Sequence, residues 1–140
     1  EFVKRLAKEK GLKIVALLHL DQYIASDEHY VELAPWHVSP ADFVNLVKNA
    51  ECVCTDSFHG TVFSIIYSRP FFTFKRFNRK ASLSTNTRIT SLLTRLDLME
   101  RLVTNMNVKP IFDIDWTRIQ DGVSEFRNAS SEYFLNAIRA

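Results

Sequence analysis

The fold of this chain is decided by one stretch, Cys52-Val53-Cys54-Thr55-Asp56-Ser57-Phe58-His59-Gly60-Thr61-Val62-Phe63-Ser64. It begins as an apolar run of β type and passes through a small polar segment that contains a histidine. After one glycine it continues as an apolar run at helical spacing. This order predicts a strand over Glu51 to Thr55, a tight loop, and a helix over about Thr61 to Tyr67. The first amides of a helix have no acceptor within it, so such a loop suits an anion.

Helical and strand-like segments alternate before and after this stretch. Phe2 to Lys10 is amphipathic and is followed by Gly11, a residue typical of a helix end. Lys13 to Leu18 and Phe71 to Phe74 are apolar runs of strand length, and Ser39-Pro40 is typical of a helix start. Apolar strands fit a parallel sheet that is covered on both sides. We therefore predict an α/β fold, a Rossmann-like parallel sheet with helices on both faces.

The second half of the chain has a less regular pattern. Lys75 to Lys80 is basic, and Ala81 to Thr87 is rich in Ser, Thr and Asn, which predicts a mobile segment. Helical spacing returns over Arg88 to Leu96, Leu102-Val103 has the pattern of a short strand, and the last helix is expected over about Trp116 to Arg139. The residues expected to face inward from this last helix are Ile119, Val123, Phe126, Phe134 and Ile138.

Length and composition limit the classes of protein. A chain of 140 residues with 46% hydrophobic and 24% charged residues is typical of a single globular domain. The net charge of +2 gives no reason to expect nucleic acid as a partner. No apolar run reaches the roughly 18 residues of a membrane-spanning helix. Three glycines, none two residues from another, leave no Gly-x-Gly-x-x-Gly loop for a dinucleotide.

The two cysteines and the histidines do not form a metal-binding pattern. Cys52 and Cys54 are two residues apart, so both side chains point to the same face of a strand. There is no second cysteine pair to complete a zinc site, and we expect no metal. The cysteines are interpreted as buried reduced thiols, which favours a cytoplasmic protein.

His59 is the main candidate for chemistry. Its position before the predicted helix places its ring near the amides of Gly60, Thr61 and Val62. There it would act as a general acid or hold an anionic oxygen. A capping or structural histidine is the alternative interpretation.

The polar residues around His59 have both functional and structural interpretations. Thr55, Asp56 and Ser57 are good capping residues, and one can cap the helix while another contacts a ligand. Ser57 is a poor candidate for a nucleophile, because residues two apart in a tight loop rarely align a hydroxyl with an imidazole. Gly60 either allows a ligand to approach the backbone or is a simple turn residue.

Two arginines are candidates for binding an anion. Arg76 lies in the basic segment after the predicted strand Phe71 to Phe74, and Arg88 begins the next predicted helix. Arginine binds carboxylate and phosphate through two parallel hydrogen bonds. The alternative is a solvated charged loop.

Several segments together resemble the polysaccharide pyruvyl transferase family. They are Ser39-Pro40-Ala41-Asp42-Phe43, Asn49-Ala50, Thr55-Asp56-Ser57-Phe58-His59-Gly60-Thr61, Phe63-Ser64-Ile65, Pro70-Phe71, Arg88-Ile89, Ser91-Leu92-Leu93, and Leu98 with Arg101. The resemblance covers the chain from about Ser39 to Arg101. The Thr-Asp-Ser-Phe-His-Gly string is its most specific part.

This resemblance implies a bacterial enzyme with two Rossmann-like domains, similar to glycosyltransferases of the GT-B type. Residues 1–140 would be one α/β domain, the C-terminal half, and inactive alone; the start at Glu1, without methionine and within a helical pattern, agrees with a fragment. Such enzymes transfer a pyruvate ketal from phosphoenolpyruvate to a sugar of a polysaccharide or of a lipid-linked glycan. They act without a cofactor, in the cytoplasm or peripheral to the inner membrane.

The resemblance also implies roles for particular residues. His59 would be the acid of the reaction, and the donor would be contacted by Thr55, Asp56, Ser57, Phe58, Gly60 and Thr61. Many members carry an arginine two residues before this histidine, where this chain has Ser57. Arg76 or Arg88 would then contact the carboxylate or phosphate of the donor.

Two other functions remain open from the sequence. The first is the C-terminal, nucleotide-sugar-binding domain of a GT-B glycosyltransferase, which would use the same helix terminus for a diphosphate. The second is a non-catalytic module that binds a sugar or a partner protein. Titration with phosphoenolpyruvate and with nucleotide sugars separates the three interpretations.

Overall fold

The computed structural model describes residues 1–17, 33–35, 37–75 and 82–139. Within these residues the chain forms five α-helices, a short 3-10 turn at Met99–Arg101 and a three-stranded sheet. The helices are α1 (Phe2–Lys10), α2 (Pro40–Asn49), α3 (Phe58–Ile66), α4 (Ser82–Arg95) and α5 (Trp116–Arg139). The strands are β1 (Val53–Thr55), β2 (Phe71–Phe74) and β3 (Leu102–Val103).

The sheet is parallel throughout, in the order β1-β2-β3. Val53 lies opposite Phe71 in the first pair, and Thr73 lies opposite Leu102 in the second. Helix α3 connects β1 to β2, and α4 lies between β2 and β3, as parallel pairing requires. The predicted α/β fold is therefore confirmed, and the carboxyl ends of the strands meet at one edge.

Strand β2 is buried on both faces, because its alternate side chains enter two different cores. Phe71 packs on one face among residues of α3, α4 and α5, and Phe72 packs on the other against α1. The first core contains Ile65, Phe71, Ile89, Leu93, Leu96, Leu98, Leu102 and Ile119. The second contains Phe2, Leu6 and Phe72. The predicted helices on both faces of the sheet are thus confirmed.

Two helix boundaries lie where the sequence predicted them. Gly11 ends α1 with φ 63, a left-handed conformation, and its N–H donates to the carbonyl of Ala7. At the start of α2, the Ser39 hydroxyl accepts the Asp42 N–H at 3.2 Å, and the Asp42 carboxylate accepts the Ser39 N–H at 3.0 Å. This reciprocal pair is a capping box. The capping hydrogen bonds lower the pKa of Asp42, which keeps its carboxylate charged at the positive end of the helix.

The prediction of a buried strand over Lys13 to Leu18 is wrong for its described part, residues 13–17. Pairing there is a single parallel bridge between Val15 and Leu33, with the Ala16 N–H donating to the Leu33 carbonyl at 3.0 Å. Val15 is 48% exposed and Leu17 is 41% exposed. An apolar run becomes a buried strand only where a neighbouring strand pairs with it along its length, and this pairing is not present among the described residues.

The prediction of a mobile segment over Ala81 to Thr87 is also wrong from Ser82 onward. These residues form the first turns of α4, and Ala81 lies outside the described residues. Two buried apolar residues of the helix, Ile89 and Leu93, and Leu96 directly after it fix α4 against the sheet. Polar residues that precede such an anchored face extend the helix at little cost, because propagation is easier than nucleation.

The last helix, α5, runs without interruption from Trp116 to Arg139. Ile119 is buried in the first core as predicted, and Val123 packs against that core. Phe126, Phe134 and Ile138 are exposed, so the prediction that they face inward is wrong. The apolar face of α5 therefore continues beyond the core that covers its first turns. No helix of the described ranges is long and apolar enough to cross a membrane.

The two cysteines lie on one face of the sheet and remain free thiols. Both pack against the second core. A hydrogen bond from Cys54, helped by the positive charge of Arg101, lowers the pKa of the Cys52 thiol. The same hydrogen bond, together with burial, raises the pKa of Cys54.

Candidate functional site

Helix α3 begins at Phe58, three residues earlier than the sequence predicted. Ser57 is its N-cap: the Ser57 hydroxyl accepts the Gly60 N–H at 3.4 Å, and the Ser57 carbonyl accepts the Thr61 N–H at 3.0 Å. His59 is consequently the second residue of the helix and does not lie in the loop. Its side chain is exposed at the carboxyl edge of the sheet.

The amides that can bind an anion at this turn differ from those predicted. Ser57 accepts the amides of Gly60 and Thr61, which the sequence placed near the His59 ring, so these amides are not open to an anion. The amides of Phe58 and His59 have no acceptor within the described part of the chain. They are the first two amides of the helix, which no intrahelical carbonyl can reach.

Gly60 is required by packing between α3 and β1. A Cβ atom at this position would lie 2.6 Å from the Thr55 hydroxyl oxygen and 3.1 Å from the Thr55 Cβ. Ser64 donates its hydroxyl to the Gly60 carbonyl at 2.7 Å, which fixes the same turn from within the helix. Gly60 is buried, and its lack of a side chain brings the helix close to the strand instead of opening space for a ligand.

The hydroxyl groups of the turn form a network that holds its conformation. Thr55 Oγ1 accepts the Ser57 N–H at 3.0 Å. Thr61 and Thr73, both fully buried, share a hydroxyl–hydroxyl bond of 2.7 Å, and Thr73 also donates to the Thr55 carbonyl at 3.1 Å. The Thr61 hydroxyl therefore joins α3 to β2, and a role of Thr61 as a ligand contact stays a prediction. The turn that carries His59 is held by β1 and β2 together.

His59 lines a cleft of about 550 Å³ between α2 and α3. The helices contact each other through the rings of Phe43 and Phe63, whose centroids are 6.1 Å apart. The other side chains that line the cleft include Pro35, His37, Ser39 and Ser57. His37 and the N-terminus of α2 thus line the same cleft as His59. No pattern in the sequence points to His37 as a neighbour of this cleft, because it is distant from His59 in sequence and lies in no motif.

The structure does not bring Arg88 into this cleft. The Arg88 guanidinium lies over the ring of Phe58, 5.1 Å from the centroid, and lines a separate cleft between α4 and α5. Asp56 is half-buried and is not a free carboxylate. Arg76 lies outside the described residues. Within the described ranges no group of three or more His, Cys, Asp or Glu residues is placed to hold a metal ion.

The close packing at Gly60 leads to a stability prediction. Gly60→Ala is expected to lower the free energy of unfolding by about 1 to 2 kcal/mol, because overpacking against Thr55 outweighs the roughly 1 kcal/mol by which alanine favours a helix. Urea denaturation measures this difference.

Gly122→Ala is the matched control, since Gly122 also lies within a helix. The nearest atom to its added Cβ is the flexible end of Leu96 at 3.4 Å. This substitution is expected to be neutral or to stabilise by up to about 1 kcal/mol. Equal effects of the two substitutions would show that Gly60 carries no packing constraint.

Comparison with known proteins gives one finding. A family model described as polysaccharide pyruvyl transferase matches residues 1–76, which is more than half of the chain. The match includes α1, α2, β1, the His59 turn, α3 and β2, and it ends before α4. No curated protein and no solved structure matches the chain.

Proposed function

The chain belongs to the polysaccharide pyruvyl transferase family, and on this premise we propose that its His59 cleft binds phosphoenolpyruvate and serves its transfer to a sugar. The observation that carries the proposal is the exposed His59 beside two amides at the start of α3 that have no acceptor among the described residues. Helix α3 has nine residues, so its dipole favours an anion at its N-terminus. This N-terminus lies at the carboxyl edge of the sheet, where α/β proteins bind ligands.

The phosphate of the donor is assigned to the amides of Phe58 and His59. Two backbone N–H groups and the helix dipole favour a negative charge without a lysine or arginine. Ser57 supports this arrangement, because its hydroxyl caps the Gly60 amide and fixes the first turn. The N-terminus of α2, at Ser39, lines the same cleft, but the Asp42 carboxylate already balances its positive end, so the start of α3 is the end assigned to the donor.

His59 is assigned the role of acid. Its imidazolium gives a proton to the methylene carbon of phosphoenolpyruvate, which becomes the methyl group of the ketal. Two sugar hydroxyls then form bonds to the neighbouring carbon, and the carbon–oxygen bond to phosphate breaks. The two hydroxyls release two protons: one restores the imidazolium and the other leaves on inorganic phosphate. A histidine within reach of the reacting carbon contributes about 100- to 10,000-fold to such a step.

The remaining parts of the reaction are proposed from the family. The acceptor sugar, free or on a lipid-linked glycan, would enter from an N-terminal domain of GT-B-like arrangement, and Arg76 would contact the donor carboxylate. No cofactor is needed for a transfer of this kind. The free thiols of Cys52 and Cys54 favour a reducing compartment, and we propose the cytoplasm.

Binding of the donor tests this proposal directly. Addition of phosphoenolpyruvate to the chain labelled with ¹⁵N is expected to shift the amide resonances of Phe58 and His59 more than those of Gly60 and Thr61, whose N–H groups are already bonded. Nucleotide sugars and inorganic sulfate are added separately for comparison.

The three functions give different outcomes in this titration. Shifts with phosphoenolpyruvate at concentrations where sulfate has no effect support the pyruvyl donor. Shifts with a nucleotide sugar alone would favour a glycosyltransferase half. No shift with either donor would contradict a donor site in this cleft and favour a non-catalytic module.

A further inference from the structure

A second cleft, separate from that of His59, lies along α4 and α5. Its volume is about 550 Å³, and no residue lines both clefts. The side chains that line it are Phe58, Thr87, Arg88, Ser91, Leu92, Arg95 and Phe126. The cleft combines two arginine side chains with an apolar lining, and the proposed pyruvyl transfer uses neither arginine.

The two arginines of this cleft lie seven residues apart on one side of α4. Two turns of helix separate their Cα atoms by about 10 Å. Arg88 lies over the ring of Phe58 at 5.1 Å, and Arg95 lies over the ring of Phe126 at 4.2 Å. Neither forms an ion pair with a carboxylate among the described residues. Contact with a ring restricts the position of each guanidinium, and its several N–H donors can still reach an anion in the cleft.

The apolar part of the cleft favours an aliphatic group over an aromatic base. Leu92 lies between the two arginines in sequence, and the rings of Phe58 and Phe126 each have a guanidinium over one face. An incoming base therefore competes with an arginine for these rings. An aliphatic chain needs only contact with apolar surface.

The apolar surface continues out of the cleft along α5. Tyr133 and Phe134 follow Phe126 by seven and eight residues, which places them near the same side of the helix. They are 78% and 63% exposed. An apolar chain that starts at Phe126 can thus continue along the helix for about two turns.

We propose that this second cleft binds a phosphate or diphosphate ester of an aliphatic chain. The phosphate lies between Arg88 and Arg95, and the chain packs on Leu92 and Phe126 and continues along α5. Such an ester is either a monomeric molecule or a lipid within a bilayer, and the chemistry of recognition is the same. The proposal does not depend on donor binding at His59, because the two clefts share no side chain.

Calorimetric titration with four probes tests this site. They are geranyl diphosphate below its aggregation concentration, pyrophosphate, ATP, and vesicles that contain phosphatidylglycerol. Geranyl diphosphate or the vesicles are expected to bind at least tenfold more tightly than pyrophosphate and ATP. The double variant Arg88→Gln/Arg95→Gln is expected to lose at least tenfold in that affinity. Both arginines are exposed, so the variant should keep its fold, which circular dichroism checks.

Lys8→Gln/Lys13→Gln is the matched control, because it removes two exposed positive charges that line neither cleft. It is expected to bind as the unsubstituted chain does. Binding of geranyl diphosphate identifies a monomeric ligand, and binding of vesicles alone identifies a bilayer lipid. The proposal is overturned if neither binds, if pyrophosphate or ATP binds as tightly, or if the arginine and lysine variants bind equally well.

Discussion

His59→Ala is expected to slow the proposed transfer of pyruvate about 100- to 10,000-fold relative to the unsubstituted protein, the range that a general acid contributes. The substitution should lower the rate of the reaction and leave the fold intact, because the His59 side chain is exposed and takes no part in the hydroxyl network that holds the turn. Its removal should change the free energy of unfolding by less than about 0.5 kcal/mol. Steady-state kinetics with phosphoenolpyruvate and the acceptor sugar measure the loss of transfer, and thermal unfolding checks the fold.

The kinetic constants separate an acid from a group that only binds the donor. Loss of a proton donor lowers kcat, whereas loss of uniform donor binding raises KM and leaves kcat unchanged. His59→Ala is expected to lower kcat, because the amides of Phe58 and His59 that are assigned to the phosphate belong to the backbone and remain.

His37 provides a matched control within the same cleft. It lines the same cleft as His59 and has a φ of 60°, a conformation that asparagine tolerates. His59→Asn and His37→Asn therefore remove one imidazole each without introducing strain. His37→Asn is expected to keep kcat within about tenfold, since the proposed reaction needs a single acid. Equal losses in the two variants, or full activity of His59→Ala, would contradict the assignment of His59.

The sequence predicted the features that local chemistry controls. Gly11 ends α1 because it adopts a left-handed conformation, and Ser39 starts α2 because its hydroxyl reaches Asp42 within the same turn. Neither depends on residues far away in the chain. The strand, loop and helix around His59 were predicted for the same reason, and with them the place of the candidate acid at the sheet edge.

The exact start of α3 depended on contacts that the sequence does not display. Thr55, Asp56 and Ser57 are all suited to cap a helix, so the pattern alone gave no reason to choose between them. Packing selects Ser57 as the cap, because Gly60 lies against Thr55 and this brings the Gly60 amide to the Ser57 hydroxyl. A helix that begins three residues early changes which amides are open to an anion.

Long-range packing also determines the positions of the side chains of Arg88 and Phe134. Arg88 was a candidate for the donor site, but it stacks on Phe58 and lines the other cleft. Phe134 follows the apolar pattern of α5, yet no described residue covers it. Periodicity identifies the side of a helix on which a residue lies, but it does not show where the core beneath that side ends.

Arg101 is a residue whose role only the structure reveals. It is 2% exposed, donates to the carbonyls of Ile111 and Asp113, and pairs with Glu100 at 3.2 Å. Its guanidinium also lies 5.9 Å from the ring of Phe72. The side chain thus joins the turn before β3 to the segment that leads into α5. Arginine suits this position because its planar group carries several donors in a fixed geometry.

Arg101→Met is expected to lower the free energy of unfolding by about 2 to 4 kcal/mol. Methionine keeps much of the apolar stem but removes two hydrogen bonds that a charged group donates to partly buried carbonyls, and such bonds contribute about 1.5–3 kcal/mol each where water does not replace the donor. Urea denaturation, analysed with a common m-value, measures the change.

Arg118→Met is the control that distinguishes burial from the loss of a charge. Arg118 also makes an ion pair, at 2.9 Å to Asp97, and hydrogen bonds to the same residue, but its side chain is 51% exposed. Exposed pairs contribute about 0–1 kcal/mol, because water and salt screen them. If Arg118→Met destabilised the chain as much as Arg101→Met, the burial of Arg101 and its bonds to the carbonyls of Ile111 and Asp113 would add nothing to the loss of a charged pair. The link between the β3 turn and α5 would then not depend on Arg101.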